Sequence, residues 1–443
     1  MKKPLTVILV WLTISLGQAQ DFDTLKIMSY NLLYYGETTS FCTGSNNPIA
    51  QKDVFLKVIM DRAKPDILVV NEMGASNVYA SRILEKALNV DGQTEYEAAS
   101  IKNNGFSDLV NGIFYRGDKL ELLSHKSVKE ANNGSNLVRV VDIAQFYFRD
   151  ANLTAESDTV FIYVLAAHLK AGDSSSDRAD RDIATEAVMD RLLDDYPPGY
   201  YMFCGDFNMQ SSNEDAYQNL AAASNGLYRF YDPINQSGTW HNSASFAEHH
   251  TQSTRQSQTN GGCFSGGGMD DRFDLILASG QVIQDTGYVS YIDGSYRAFG
   301  QDGNHFNKAI NDGANNSVPS TVLAALYELS DHLPVQMNFK VRLQESLPVD
   351  TTDTTGDSTT YIPFVAKPQG RIWTQNSRLR VDCFSPSGGE INIYSLDGSL
   401  SQSIAVAHGY NELETTVIKT GLYIVRLSTY SGSQVKKIWI SSD

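Results

Sequence analysis

The chain has 443 residues, of which 42% are hydrophobic and 19% charged. That is enough for one large domain plus a small one, and it excludes a chain disordered in the main. The formal net charge of −16 speaks against a high-affinity nucleic-acid binder, because broad electrostatic capture of a polyanion ordinarily uses a basic surface. It does not exclude a hydrolase that meets a phosphate ester only at a small, metal-charged site.

Residues 1–19 read as a signal peptide. Lys2 and Lys3 form a positive start, Leu5 to Leu16 is apolar but short for a membrane span, and Gly17-Gln18-Ala19 supplies small residues for cleavage. No other long apolar run follows, so the mature chain is expected to be secreted or held at the cell surface, without stable membrane insertion. Leu25 to Tyr30 alternates like a strand. Val54, Val58, Ile59 and Arg62 share one side at helical spacing, and Pro65 ends that helix. Asp66 to Val70 is a buried-strand run ending at Asn71-Glu72, and a helix follows over about Asn77 to Leu88. Strands are expected at Gly112 to Tyr115, Val160 to Ala167, Tyr200 to Cys204, Phe273 to Ala278 and Val335 to Val341, with a helix over about 178–195. This mixture predicts an α/β domain with sheets inside and helices outside. Residues 235–270 form a long Ser-, Thr-, Asn-, Gln- and Gly-rich stretch, expected to be either functional or mobile. Residues 342–361, rich in Thr and Asp, read as a linker. Short alternating runs over 362–443 then predict a small all-β domain without a His and carboxylate cluster.

None of the four cysteines has zinc-site spacing. Cys42 and Cys263 lie in polar stretches and are candidates for a disulfide, whereas Cys204 sits in an apolar run and reads as core.

Chargeable and amide residues recur at the ends of the apolar strands: Asn31, Glu72, His168, Asp206 with Asn208, Asp274, and Asp331 with His332. Strand ends distant in sequence can converge on one crevice in an α/β sheet. The residue types suit phosphoester hydrolysis. Carboxylate and carboxamide oxygens fit a hard cation such as Mg²⁺, imidazole exchanges protons near neutral pH, and a carboxylate beside it fixes the tautomer. Gly205-Asp206-Phe207-Asn208 and Asp331-His332-Leu333-Pro334-Val335 carry the most weight. Gly205 permits close approach, and Asp206 and Asn208 fall on one face.

In this order, Ser29-Tyr30-Asn31, Asn71-Glu72, His168-Leu169, Gly205-Asp206-Phe207-Asn208, Arg272-Phe273-Asp274 and Ser330 to Val335 resemble the endonuclease/exonuclease/phosphatase superfamily. The resemblance covers the domain over 22–341. It implies a four-layer sandwich of two packed mixed β-sheets flanked by helices, acting as a metal-dependent phosphoric ester hydrolase. The implied substrates are phosphoesters, DNA or RNA among them. It further implies that Asn31, Glu72 and Asp331 hold Mg²⁺, with Mn²⁺ or Ca²⁺ as alternatives. Asp206 would orient or deprotonate water, Asn208 would steady the phosphoryl group, and His332, oriented by Asp274, would contact it. His168 would contact the phosphate or protonate the leaving oxygen. Some family nucleases pair that histidine with a Glu, but here the nearby upstream carboxylate is Asp108, slightly out of register. Lys170, Arg178 and Arg181 could meet phosphate, although a solvated helix face is the expected setting for the two arginines. His249-His250 reads as part of a polar loop rather than a metal pair. The segment 362–443 resembles the sorting domain of the type IX secretion system, through Ile393 to Gly398, Thr420 to Arg426 and Val435 to Ile438. That implies the type IX machinery as a partner.

Overall fold

The computed structural model describes residues 21–153, 159–221, 228–285, 287–344, 369–375, 378–396, 399–414, 418–430 and 432–441. Residues 1–19, read above as a signal peptide, and most of the stretch read as a linker lie outside them. The strands of the large domain are β1 (Phe22–Tyr35), β2 (Ile67–Gly74), β3 (Tyr96–Ala98), β4 (Leu109–Arg116), β5 (Leu120–Glu130), β6 (Asn136–Phe148), β7 (Phe161–His168), β8 (Tyr200–Asp206), β9 (Phe230–Tyr231), β10 (Asp274–Ser279), β11 (Val289–Tyr291), β12 (Arg297–Ala298) and β13 (Val335–Arg342). Its helices are α1 (Ile49–Ala63), α2 (Asn77–Ile83), α3 (Ser175–Asp195), α4 (Asp215–Ala221), α5 (Gly280–Ile283) and α6 (Ser320–Leu329).

Two mixed sheets result. One runs β11-β13-β1-β2-β4-β3, with β12 against β13, and the other runs β5-β6-β7-β8-β10-β9. Each central strand is apolar on both faces, as strands covered on both sides must be. In β7, Ile162, Val164 and Ala166 join Leu25, Ile27, Ile67 and Val69 between the sheets. Tyr163, Leu165 and Ala167 point the other way, onto Ala184, Val188 and Leu192 of α3. On the opposite outer face, Met28, Tyr30, Leu68 and Val70 pack against Leu56, Ile59 and Met60 of α1 and Leu326 of α6. The order is helix, sheet, sheet, helix, the expected four-layer sandwich.

Several expectations need adjustment. The hairpin β5–β6 and helix α6 were not read from the sequence. Six of the eleven residues of β5 are only half-buried, so its apolar alternation is faint. The large domain extends past 341, since β13 reaches Arg342, Leu343 N donates to Asp21 O and Gln344 N to Asp150 Oδ2. The stretch 235–270 is pinned rather than loose: His250 is buried, its ring nitrogens lying 2.9 Å from Trp240 O and 3.1 Å from Met269 O. One expectation stands without adjustment: the candidate pair Cys42 and Cys263 is disulfide-bonded, across 221 residues.

The C-terminal strands are β14 (Gly370–Gln375), β15 (Arg378–Cys383), β16 (Gly389–Tyr394), β17 (Leu400–Val406), β18 (Gly409–Leu413), β19 (Gly421–Thr429) and β20 (Gly432–Ile440). They form sheets β14-β15-β18 and β17-β16-β19-β20 around Leu379, Val381, Ile391, Ile393, Val425, Leu427 and Ile440. Among the described residues, no helix is long and apolar enough to cross a membrane.

Candidate active site

The strand registers bring the eight sequence-predicted residues to one end of the two sheets. In the second sheet, β8 lies between β7 and β10, so Asp206 is flanked by His168 on the parallel side and Asp274 on the antiparallel side. Gly205 allows this. Its φ is +147°, and a Cβ there would sit 1.8 Å from Ala167 O. In the first sheet, Asn31 is opposite Asn71, and the ladder then breaks at a bulge. Glu72 adopts φ +57° at that break. A left-handed conformation costs a residue with a Cβ about 1–2 kcal/mol, and such strain is tolerated where it aims a functional group. Asn208, also left-handed at φ +52°, is a residue type that accepts this more readily.

The two halves meet through hydrogen bonds. Asn31 Nδ2 donates to Glu72 Oε1 and to Asp206 Oδ2, each at 2.9 Å, while its Oδ1 accepts from Leu33 N. Asn31 thus turns its N–H edge to the carboxylates and ties one sheet to the other. Asn71 reinforces the joint, donating to Ala167 O and Asn111 Oδ1 and accepting from Asp206 N. Ser330 Oγ donates to Asn31 O and accepts from His332 N, which seats the Asp331-His332 turn on β1.

His332 Nδ1 lies 2.7 Å from Asp274 Oδ2, and its Nε2 is 3.8 Å from Asp206 Oδ2. Burial disfavours the imidazolium, but Asp274 and Asp206 outweigh it and hold the pKa well above the usual value. His168 Nε2 stands 3.8 Å from Glu72 Oε1 and 3.7 Å from Asp206 Oδ2. Burial, with Arg139 and His332 adding to it, pushes its pKa well below the usual value. The two histidines are therefore biased to opposite protonation states. Among the described residues, the buried His168 Nδ1 has no hydrogen-bond partner. Asp108 is exposed and uses its carbonyl on Ala75 N. Burial raises the Glu72 pKa against the Asn31 hydrogen bond, and burial with Asp274 and Glu72 raises Asp206 to about 7.

Asp331 stands apart from the closest acid clusters, which among the described residues are Glu72, His168 and Asp206, then Asp206, Asp274 and His332, then His241, Asp270 and Asp271. Its Oδ2 accepts from Ser265 N, and its buried Oδ1 has no partner among the described residues. Asn208 Nδ2 and Arg139 Nη1 both donate to Leu169 O. Arg181 corrects the sequence expectation. It is fully buried on Glu214, with hydrogen bonds to the carbonyls of Lys170 and Gly172. Arg178 is exposed, as expected, and pairs with Asp173. The sequence shows Asn71 beside Glu72 but assigns it no role, and it gives no sign of Arg139 or of Gln252, whose amide meets His332. The latter two lie in runs without a local signature.

No protein-family model matches the chain, and no curated protein sequence matches it. Solved structures do resemble it. TDP2 of D. rerio complexed with single-strand DNA product is 15% identical with a TM-score of 0.44, covering 71% of this chain and 98% of that one. An endonuclease/exonuclease/phosphatase from Bacteroides vulgatus is 16% identical at 0.44, covering 72% and 100%. A mannosyl-6-phosphatase of Bacteroides thetaiotaomicron is 13% identical at 0.43, covering 71% and 99%. Likenesses at these scores assign neither substrate nor mechanism.

Proposed function

We propose that the chain is a secreted, divalent-metal-dependent phosphoesterase of the endonuclease/exonuclease/phosphatase type, hydrolysing phosphodiester bonds in nucleic acid. The observation that carries this is the meeting of Glu72, Asp206 and the His332–Asp274 pair around the bridging Asn31 amide. The donor set fits a hard cation. Glu72 and Asp206 bring carboxylates together at the Asn31 amide, and among the described residues the buried Asp331 Oδ1 has no hydrogen-bond partner. Glu72 and Asp331 would hold the ion, with Asn31 as a third ligand if its amide turned to present Oδ1. Mg²⁺, or Mn²⁺ or Ca²⁺ in its stead, supplies Lewis-acid polarisation of a phosphoryl oxygen when bound.

The protein groups do the rest. Asp206 accepts the proton of the attacking water, a role suited to a carboxyl raised to about 7. His332 presents Nε2 to a phosphoryl oxygen while Asp274 holds Nδ1. Asn208 steadies the same group, and neutral His168 faces the leaving side. Incubating the purified mature chain with plasmid DNA and Mg²⁺, with and without chelator, tests this. Chelator-sensitive cleavage, lost in His332→Ala, is expected; cleavage no better than that variant's removes the nuclease reading.

A second reading, a phosphatase or lipid phosphodiesterase acting on a small phosphoester, is favoured by the formal net charge of −16, which repels a long polyanion. Activity on sugar phosphates, inositol phosphates or sphingomyelin, with none on DNA, would select it. The C-terminal sandwich fits a role in type IX export, tested by whether deleting 362–443 retains the protein inside the cell that makes it.

A further inference from the structure

Thr251, Gln252 and Ser253 form a short wall between the segment leading into Asp274 and the Asp331-His332 turn. Thr251 N and Gln252 N donate to Asp271 O, Asp270 N and Asp271 N donate to Gln252 O, and Ser253 N donates to Gly268 O. On the other side, Leu333 N donates to Thr251 O and Thr254 N to Asp331 O. Thr251 Oγ1 also accepts from Phe273 N and Asp274 N. The backbone of Gln252 is thus held at both edges, next to the residues leading into Asp274 and next to His332. The Cys42–Cys263 disulfide anchors the same excursion further along. A side chain on so fixed a backbone is preorganised.

Gln252 Nε2 lies 2.7 Å from His332 Nε2. That is the ring nitrogen left over once Nδ1 is engaged by Asp274, and hence the one available to a substrate. A carboxamide can meet it in either protonation state, because the amide N–H donates to a neutral Nε2 and the amide oxygen, turned to face it, accepts from the Nε2–H of the imidazolium. No side-chain bond to any other residue holds the Gln252 amide among the described residues, and the residue is half-buried, with an open side.

We propose that Gln252 is a substrate-contacting residue of this site: its carboxamide N–H and His332 Nε2 together receive one non-bridging phosphoryl oxygen, so that a phosphoryl group docks by replacing the Gln252–His332 contact. The assignment rests on the phosphoesterase reading above and adds to it a second, neutral donor beside the imidazole. The ligand class is a phosphoryl monoanion or dianion. A guanidinium at this point would be drawn to Asp271 and Asp206, whereas an amide donates without competing for those acids.

The test uses the full mature chain with Mg²⁺, with inorganic phosphate as the binding probe and bis(p-nitrophenyl) phosphate and p-nitrophenyl phosphate as esters. Gln252→Met keeps the stem and removes the amide, and Gln252→Glu keeps the shape and removes the donor. Both are expected to unfold at the wild-type denaturant midpoint. In the free protein, Gln252→Met should move the His332 Nε2 ¹⁵N resonance, and in both variants phosphate should bind about tenfold more weakly. The kcat on whichever ester the wild type turns over should fall about 10²-fold, the scale for removing one oxyanion donor. Gln252→Asn, which returns a donor on a shorter arm, should recover part of that loss. Phosphate affinity and kcat at wild-type values in Gln252→Met overturn the inference while an inactive His332→Ala leaves the phosphoesterase reading intact. A wild-type chain that neither binds phosphate nor cleaves either ester overturns both.

Discussion

Replacing Gly205 by alanine should separate the site's two central strands. The added Cβ would lie 1.8 Å from Ala167 O and 2.8 Å from Ala167 C, against backbone that has no flexible end to move. An ordinary contact needs well over 3 Å, so β7 and β8 must part by more than 1 Å at the rung just before His168 and Asp206. The φ of +147° adds a conformational penalty of about 1–3 kcal/mol, and overpacking adds about 1–3 kcal/mol more. The total is about 2–6 kcal/mol, read as a fall in the urea midpoint. Displacing catalytic groups by about 1 Å costs on the order of 10²-fold in rate, so surviving folded protein should turn over about a hundredfold more slowly. Gly134→Ala is the control, with φ +80° and nothing within 4 Å of the added carbon; it should lose only about 1–2 kcal/mol and no turnover. A Gly205→Ala protein with the wild-type midpoint and turnover within threefold would refute the close-approach argument.

Asp274→Asn should lower kcat about 10–150-fold, the equivalent of one charge-assisted hydrogen bond, with KM on p-nitrophenyl esters little changed; an unaltered kcat would mean the pair does not act on the ester. Asp206 titrates at about 7 in the folded chain against about 3.9 unfolded, so the folded state binds more protons between those values and stability should fall as pH rises from about 4 to 7. Mg²⁺ needs the ionised carboxylates, so its increase in Tm over chelated protein should be larger at pH 8 than at pH 5, and scanning calorimetry showing the reverse order would count against the site. Arg181→Met leaves Glu214 buried without its cation and should destabilise by about 3–5 kcal/mol. Denaturant titration of that variant and of Arg191→Met, an exposed i,i+4 pair, should differ by most of that amount.

The parts of the site written in consecutive residues could be read from the sequence. Gly205-Asp206-Phe207-Asn208 and Asp331-His332 each carry their own geometry, a glycine for approach and a turn before a strand. Strand ends were legible for the same reason, since apolar runs stop where polar groups start. Relations between distant segments were not legible. Arg181 was assigned to a solvated face because helical spacing says nothing of Glu214, 33 residues later. Gln252 sits in a Ser- and Thr-rich stretch whose composition reads as loop, and only the cross-bonding to Asp271 and His332 turns that stretch into a wall. The partner of His168 was sought among carboxylates upstream. Its Nε2 instead faces Glu72 and Asp206 at 3.8 and 3.7 Å, while the amides of Asn71 and Asn111 bond to the β7 backbone just ahead of it.

The first strand of the large domain pairs with its last, Phe22 opposite Arg342 through Ser29 opposite Val335. β1 is therefore an uncovered edge, and β11 and β12 lack their partner in that sheet, until the final stretch of the domain has been made. Asp331 and His332 sit immediately ahead of that stretch, so a growing chain carries Glu72, His168 and Asp206 for some 130 residues of synthesis before it acquires the imidazole that completes them. Nascent chains halted before residue 331 lack His332 and, on the proposed mechanism, should be inert toward phosphoesters.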